Sequence, residues 1–326
     1  MFERDSVGLP QERERERPSS TKSSSSFLLI LLDSIKIISR NKQIFFSIFA
    51  LLALPLSLHL FSVSFVSLPL KSRVHHLEAV AFYSSRFEAG HILKESRESA
   101  ISLLRLKALF FIPSFILSLL GAISSVSSTA AGVRSQRPNL HSALTAIKLT
   151  WHRPVLTTIC IYAVSLLYFN VPRALTVVIG GGSHLLSFFI WVILSGLHVY
   201  LMAVMGIGLV VSITEERFGW DAIQVGYRLM EGRRMSGWIL SCLMVLISGM
   251  IGWKMDRLLI MAIDRQDPSS WWMAVKVVVG GSERFGLVCL YGFVVVWSYV
   301  IATVYYCECR KRHVRVEENG EELVPV

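Results

Sequence analysis

Three stretches of the chain alternate apolar and polar positions with helical spacing, and each precedes a long apolar run. In Gly219 to Arg234, Trp220, Ile223, Tyr227 and Met230 form one stripe. Asp221, Gln224, Arg228 and Glu231 form the opposite one. In Leu140 to Arg153 the apolar stripe is Leu140, Ala143, Leu144, Ile147 and Trp151, against His141, Thr145, Lys148 and His152. In Phe27 to Lys42 it is Leu28, Leu31, Ile35 and Ile38, against Asp33, Lys36 and Arg40. Aligned without gaps, Leu28 matches Leu140 and Trp220, Ile35 matches Ile147 and Tyr227, and Lys36 matches Lys148 and Arg228. The pattern predicts amphipathic helices too polar to span a bilayer, lying at its interface. Lys36, Lys148, Arg228, Arg233 and Arg234 are then placed to touch anionic lipid headgroups.

Six apolar runs are long enough to cross about 30 Å of hydrocarbon at about 1.5 Å per helical residue. They are Ile44 to Leu70, Leu106 to Ala130, Val155 to Ile179, Leu185 to Ile213, Ser236 to Ile263 and Phe285 to Tyr306. Asn170, Pro172 and Arg173 crowd the far end of the third. Lys254, Asp256 and Arg257 place the end of the fifth run's apolar core at Trp253. Val177 to Gly181 and Val277 to Gly281 are near copies, each ahead of an apolar run. The fold expected is all-α: a polytopic bundle of six transmembrane helices with three amphipathic interfacial helices. It is built as three parallel repeats of one interfacial helix and two spans. Residues 1–26 are polar and Ser-rich, with the composition of a disordered tail. Residues 27–306 form the transmembrane domain and 307–326 a second tail.

Composition narrows the partners. Apolar residues make up 53% and charged ones 17%, against about a quarter charged in soluble domains. The net charge of +10 is therefore no nucleic-acid footprint, because the Lys and Arg residues flank apolar runs. They are denser on the side of the chain ends, so both termini are expected in the cytosol. The partners expected are the lipid bilayer, anionic headgroups and other membrane proteins. Of the five cysteines, Cys160, Cys242 and Cys289 lie in apolar runs. Cys307 and Cys309, beside Arg310, Lys311 and Arg312, suit S-acylation.

Asp221-Ala222-Ile223, then Gly226, then Leu229-Met230-Glu231-Gly232-Arg233-Arg234 stand ahead of the fifth run, and Trp151-His152-Arg153-Pro154 ahead of the third. By these residues the chain resembles a land-plant family of six-span membrane proteins without an established biochemical function. The resemblance implies the architecture and a membrane location. It brings no catalytic residues and no cofactor.

Signs of chemistry are sparse. His59 and His198 stand alone in apolar runs and read as helix-packing hydrogen bonders. Arg173 reads as a cap that reaches to the interface. His75, His76, Glu78, Glu88, His91, Glu95 and Glu98 share one segment without HExxH spacing. That segment reads as a further amphipathic helix, with Leu77, Val80, Ala81 and Phe87 facing lipid. Gly180 to Gly182 lacks the phosphate-loop pattern. The strongest enzyme case is Glu215, Glu216 and Asp221 beside His141 and His152, which have no recognised spacing. The reading favoured is a non-enzymatic structural, adaptor or membrane-organising protein of the endomembrane system or plasma membrane. The alternative is a transporter or channel for a weakly polar or lipid-like substrate. Transport requires a midplane cavity lined by His59, Asn170 or His198, and an organising role requires a filled core.

Overall fold

The structure is a computed structural model that describes residues 20–83, 86–134, 145, 148, 150–178, 184–263 and 271–318. Among them there are helices and short turns and no strand. Hydrocarbon offers the backbone no hydrogen-bond partners, so an apolar chain that crosses it must satisfy every N–H and C=O internally. In chain order the helices are α1 (Ser20–Arg40), α2 (Lys42–Ile48), α3 (Leu54–Tyr83), α4 (Arg86–Val133), α5 (His152–Val178), α6 (His184–Thr214), α7 (Gly219–Leu229), α8 (Arg234–Ile263), α9 (Trp271–Val279) and α10 (Ser282–Glu318). A π-helical segment, Phe49–Ala53, joins α2 to α3. Pro55 follows it and has no N–H to offer the Leu51 carbonyl, so the widened turn relieves the clash its ring would cause.

Among the described residues, five stretches are long and apolar enough to cross a membrane: Lys42–Leu77, Gly90–Val133, Phe188–Thr214, Arg234–Ala262 and Ser282–Val314. The third expected span, Val155 to Ile179, is not among the five. It forms the 27-residue helix α5, diluted by Asn170, Pro172 and Arg173. The fifth span does not lose its apolar core at Trp253. α8 continues with Met255 and Leu259 fully buried, while Asp256 accepts a hydrogen bond from Ser64 at 3.1 Å and Arg257 lies over the Trp253 ring at 4.0 Å. The segment from Lys71 to Arg105 forms no separate interfacial helix. It extends α3 and α4 past the expected apolar runs, and there Arg73 meets Glu95 at 2.6 Å. The expected helix from Leu140 to Arg153 lies mostly outside the described residues, as do residues 1–19. α10 runs on to Glu318, past Tyr306.

Several hydroxyls of the Ser-rich spans are satisfied in the preceding turn. Ser114 donates to the Phe110 carbonyl at 2.9 Å, Ser124 to Leu120 at 2.7 Å, Thr129 to Ser125 at 2.6 Å and Thr303 to Tyr299 at 2.7 Å. A hydroxyl satisfied this way presents a small surface, and helices can approach each other over it.

α10 is the central mast, packed against α1, α3, α4, α6, α7, α8 and α9. α4, α6 and α10 also pack against one another in all three pairings. One core cluster joins Val126 of α4, Val210 and Val211 of α6, and Val300 and Ile301 of α10. A second gathers Phe61, Phe65, Met255, Leu259, Val278 and Val288 from α3, α8, α9 and α10. Cross-links tie one end of the bundle together. Arg40 reaches the Gly132 carbonyl at 2.5 Å, Gly219 N–H donates to Thr157 at 2.9 Å, and Tyr305 OH donates to the Arg233 carbonyl at 2.9 Å. Arg312 reaches the Gly232 carbonyl at 3.1 Å. The ends of α1 and α10 are thus at the same end of the bundle, called the tail end below.

α7 is amphipathic as expected, but its buried stripe is rotated from the expected one. Ala222, Ile223, Val225, Gly226, Leu229 and Met230 are buried, while Trp220 is 63% exposed and Tyr227 42%. α1 shows the same rotation. Ile30 and Ser34 are buried, and Leu28 and Ile35 are exposed. The cause is close packing: small residues let the backbones meet, and the largest apolar rings are pushed outward. Gly226 and Gly208 form the α6–α7 crossing, so near that a Cβ on Gly226 would lie 2.9 Å from the Gly208 nitrogen.

Candidate functional site

The candidate site is a cleft of about 760 Å³ at the tail end, between the ends of α4, α6 and α10. It is lined by Arg134, Glu215, Glu216, Arg217, Tyr306, Arg310 and Lys311, with Ala130, Val133 and Val314 as apolar neighbours. α6 ends just before Glu215, so that carboxylate faces α10. Tyr306 and Arg310, one turn apart, then meet it together. Tyr306 OH donates to Glu215 at 2.5 Å, and Arg310 forms an ion pair with the same oxygen and lies 2.6 Å from the Tyr306 hydroxyl. The pairing closes the α6 end against α10 and uses up the Glu215 charge.

The neighbouring acids are likewise paired. Glu216 is 91% exposed and meets Arg153 at 3.5 Å, and Asp221 meets Arg217 at 3.0 Å. The three acids of the candidate enzyme cluster are therefore each matched by an arginine. His152 is exposed, and His141 lies outside the described residues. Among the described residues no group of three His, Cys, Asp or Glu side chains is placed to hold a metal ion.

The expected headgroup contacts separate into two sets. Lys36 and Lys148 are exposed, and Arg228 is half-buried. Arg233 turns inward to Glu308 at 3.4 Å, and Arg234 lies over the Tyr227 ring at 4.8 Å, with Glu231 at 3.4 Å. The two cysteines also differ. Cys309 is 2% exposed, in the core, whereas Cys307 is half-buried and lines the cleft.

Isolated polar groups in the spans pack helices together. His59 Nε2 lies 3.1 Å from the Phe110 carbonyl, against the rings of Phe110 and Trp271, which stack on each other at 4.7 Å. His198 stacks on Tyr168, whose hydroxyl donates to the Leu194 carbonyl. Asn170 donates to the Leu166 carbonyl at 2.7 Å, and the Arg173 side chain lies outside the described residues. A groove of about 260 Å³ between α6, α8 and α10 is lined by Ala203, Gly206, Leu240, Met244 and Ala302, without any of these three residues.

Sequence reasoning missed the cleft. In the sequence Glu215 reads only as a possible acid, and Lys311 only as part of the basic stretch beside Cys307 and Cys309. Tyr306 and Arg310 at i and i+4 were the one local signal. Their partner is 91 positions away from Tyr306 in the chain, beyond the reach of any pattern.

A family model described as "Domain of unknown function (DUF8558)" matches residues 23–319. No curated protein and no solved structure matches the chain.

Proposed function

We propose, for a chain that belongs to this family of domains of unknown function, a non-enzymatic role as a membrane-organising or adaptor protein. Its bundle would cross the bilayer six times and expose a tail-end face to the cytosol. The location in view is the endomembrane system or plasma membrane of a land plant. The observation that carries the role is the filled centre: α4, α6 and α10 touch one another with valine and isoleucine side chains between them. A transporter needs an interior that opens to alternate sides. Here side chains fill the contact of α4, α6 and α10, and the groove of about 260 Å³ lies beside it, between α6, α8 and α10.

The sixth crossing is supported by α5 running antiparallel to α6. Its start meets the tail end through Thr157 and Gly219, and deeper in the bundle Tyr168 meets Leu194 and His198. Contacts of the helices support the threefold repeat. α7 packs on α5 and α6, the preceding hairpin, and α1 packs on α8 and α10, the preceding hairpin when the ring is closed. First spans follow the same rule: α3 on α10, α5 on α4 and α8 on α6. Burial follows it too, because Ile30 and Ser34 align with Ala222 and Gly226, all buried. Leu28, Leu32 and Ile35 align with Trp220, Gln224 and Tyr227, all exposed. The Lys and Arg excess at the tail end supports its cytosolic placement.

Proteoliposomes test the role. Purified protein in sealed vesicles is expected to release none of a panel of entrapped ions, sugars and amino acids, and to show no saturable uptake. Protein-dependent, saturable uptake of any of them would replace the organising reading by transport.

A further inference from the structure

The charges around the tail-end cleft do not cancel. Glu215 is matched by Arg310, Arg217 by Asp221, and Glu216 points into solvent toward Arg153. Arg134 and Lys311 also line the cleft, and neither has a carboxylate within salt-bridge distance among the described residues. Lys311 borders an adjoining cleft of about 210 Å³ that holds Asp33 and Glu308, but Glu308 is paired with Arg233 and Lys36 and Arg40 stand beside Asp33. Two positive charges therefore remain in a concave site, beside the Tyr306 hydroxyl and the Arg310 guanidinium. A phosphomonoester carries about −1.5 to −2 at neutral pH and three strong acceptor oxygens. It matches this surplus in charge and in hydrogen-bonding capacity.

We propose that the cleft binds a phosphomonoester group, with Arg134 and Lys311 as the principal ligands and Arg310 as a third donor. Ala130, Val133 and Val314 give the lining an apolar part, and in the membrane reading the site lies at the ends of three crossing helices, at headgroup depth. A phosphomonoester lipid satisfies both features, and a free phosphate satisfies the charges alone. The volume of about 760 Å³ is that of a small-molecule site. The proposal rests on the membrane reading above and is independent of the non-enzymatic one.

Full-length protein in phosphatidylcholine nanodiscs is titrated with dioctanoyl phosphatidic acid in one arm and inorganic phosphate in the other. Saturable binding of the lipid is expected, with phosphate weaker. Equal affinity for phosphate would assign the site to a free ligand of the same chemistry. The Arg134→Gln, Lys311→Gln variant is expected to bind about tenfold more weakly or worse. Lys276→Gln with Arg284→Gln, the same charge loss at the opposite end, is expected to bind as wild type. The charge-preserving Arg134→Lys, Lys311→Arg pair is expected to recover part of the binding that the glutamine pair loses, which separates loss of charge from loss of fold. No saturable binding of either probe, or equal binding by wild type and the glutamine variant, would overturn the site. Failure of the membrane reading shows separately, as protein that alkaline carbonate extracts from native membranes.

Discussion

Gly226→Leu is expected to lower stability by about 2–3 kcal/mol and to release α7 from α6. A Cβ at Gly226 meets the Gly208 nitrogen at 2.9 Å and its Cα at 3.2 Å. From the other side, a Cβ at Gly208 meets the Ile223 Cα at 2.9 Å. The obstacles are backbone atoms, so no rotamer change can relieve them and the two helices must part. Separation would expose Ala222, Ile223 and Leu229 and loosen the turn that places Glu215 against Arg310. Gly249→Leu is the matched control, since a Cβ there meets nothing within 4 Å. Thermal unfolding in detergent, followed by tryptophan fluorescence, is expected to separate the two variants clearly. Equal midpoints would mean that the α6–α7 crossing is not close.

Phe65→Ala is expected to cost about 3–5 kcal/mol, the range for truncating a buried aromatic side chain. Phe65 is 0% exposed, and its cluster joins α3 to α8, α9 and α10. In a bilayer no hydrophobic force drives helices together, so association depends on contact between side chains, and a cavity here removes that contact directly. Phe46→Ala is the control, because Phe46 is 69% exposed on α2 of the same crossing. Guanidinium- or detergent-induced unfolding of the pair is expected to show a large loss for Phe65 and little for Phe46. Comparable losses would place Phe65 outside a packed core.

The long apolar helices were legible because lipid leaves such runs few alternatives. A run of about twenty apolar residues must satisfy its own backbone, and composition alone reveals it. The orientation of α7 was not legible by the same rule. Trp220 and Tyr227 are large and apolar, and a rule suited to water turns them inward. At a membrane interface their amphipathic rings face outward at low cost, and the small residues Ala222 and Gly226 take the helix contact. The small-residue spacing of Ala222 and Gly226 was the signal that carried the buried face of α7, and Ser34 takes the place of Gly226 in α1. Side-chain size misled where closeness of backbones decided. The continuation of α8 past Trp253 was hidden for a related reason. Lys254, Asp256 and Arg257 look like an interface, but Asp256 is satisfied by Ser64 and Arg257 by the Trp253 ring, which lets Met255 and Leu259 stay buried between them. The candidate cleft was illegible in principle, since its walls come from three helices distant in sequence and its surplus charge emerges only after the ion pairs are known.

Topology mapping with a membrane-impermeant thiol reagent tests the six-crossing bundle most directly. In a variant lacking the native cysteines, single cysteines are placed by Glu216→Cys at the tail end, by Glu283→Cys at the start of α10, and by Ser183→Cys between α5 and α6. In sealed vesicles of known orientation, Glu216→Cys is expected to label from the cytosolic side, and Ser183→Cys and Glu283→Cys only from the opposite side. Labelling of Ser183→Cys from the same side as Glu216→Cys would show that α5 does not cross and would contradict the six-span bundle.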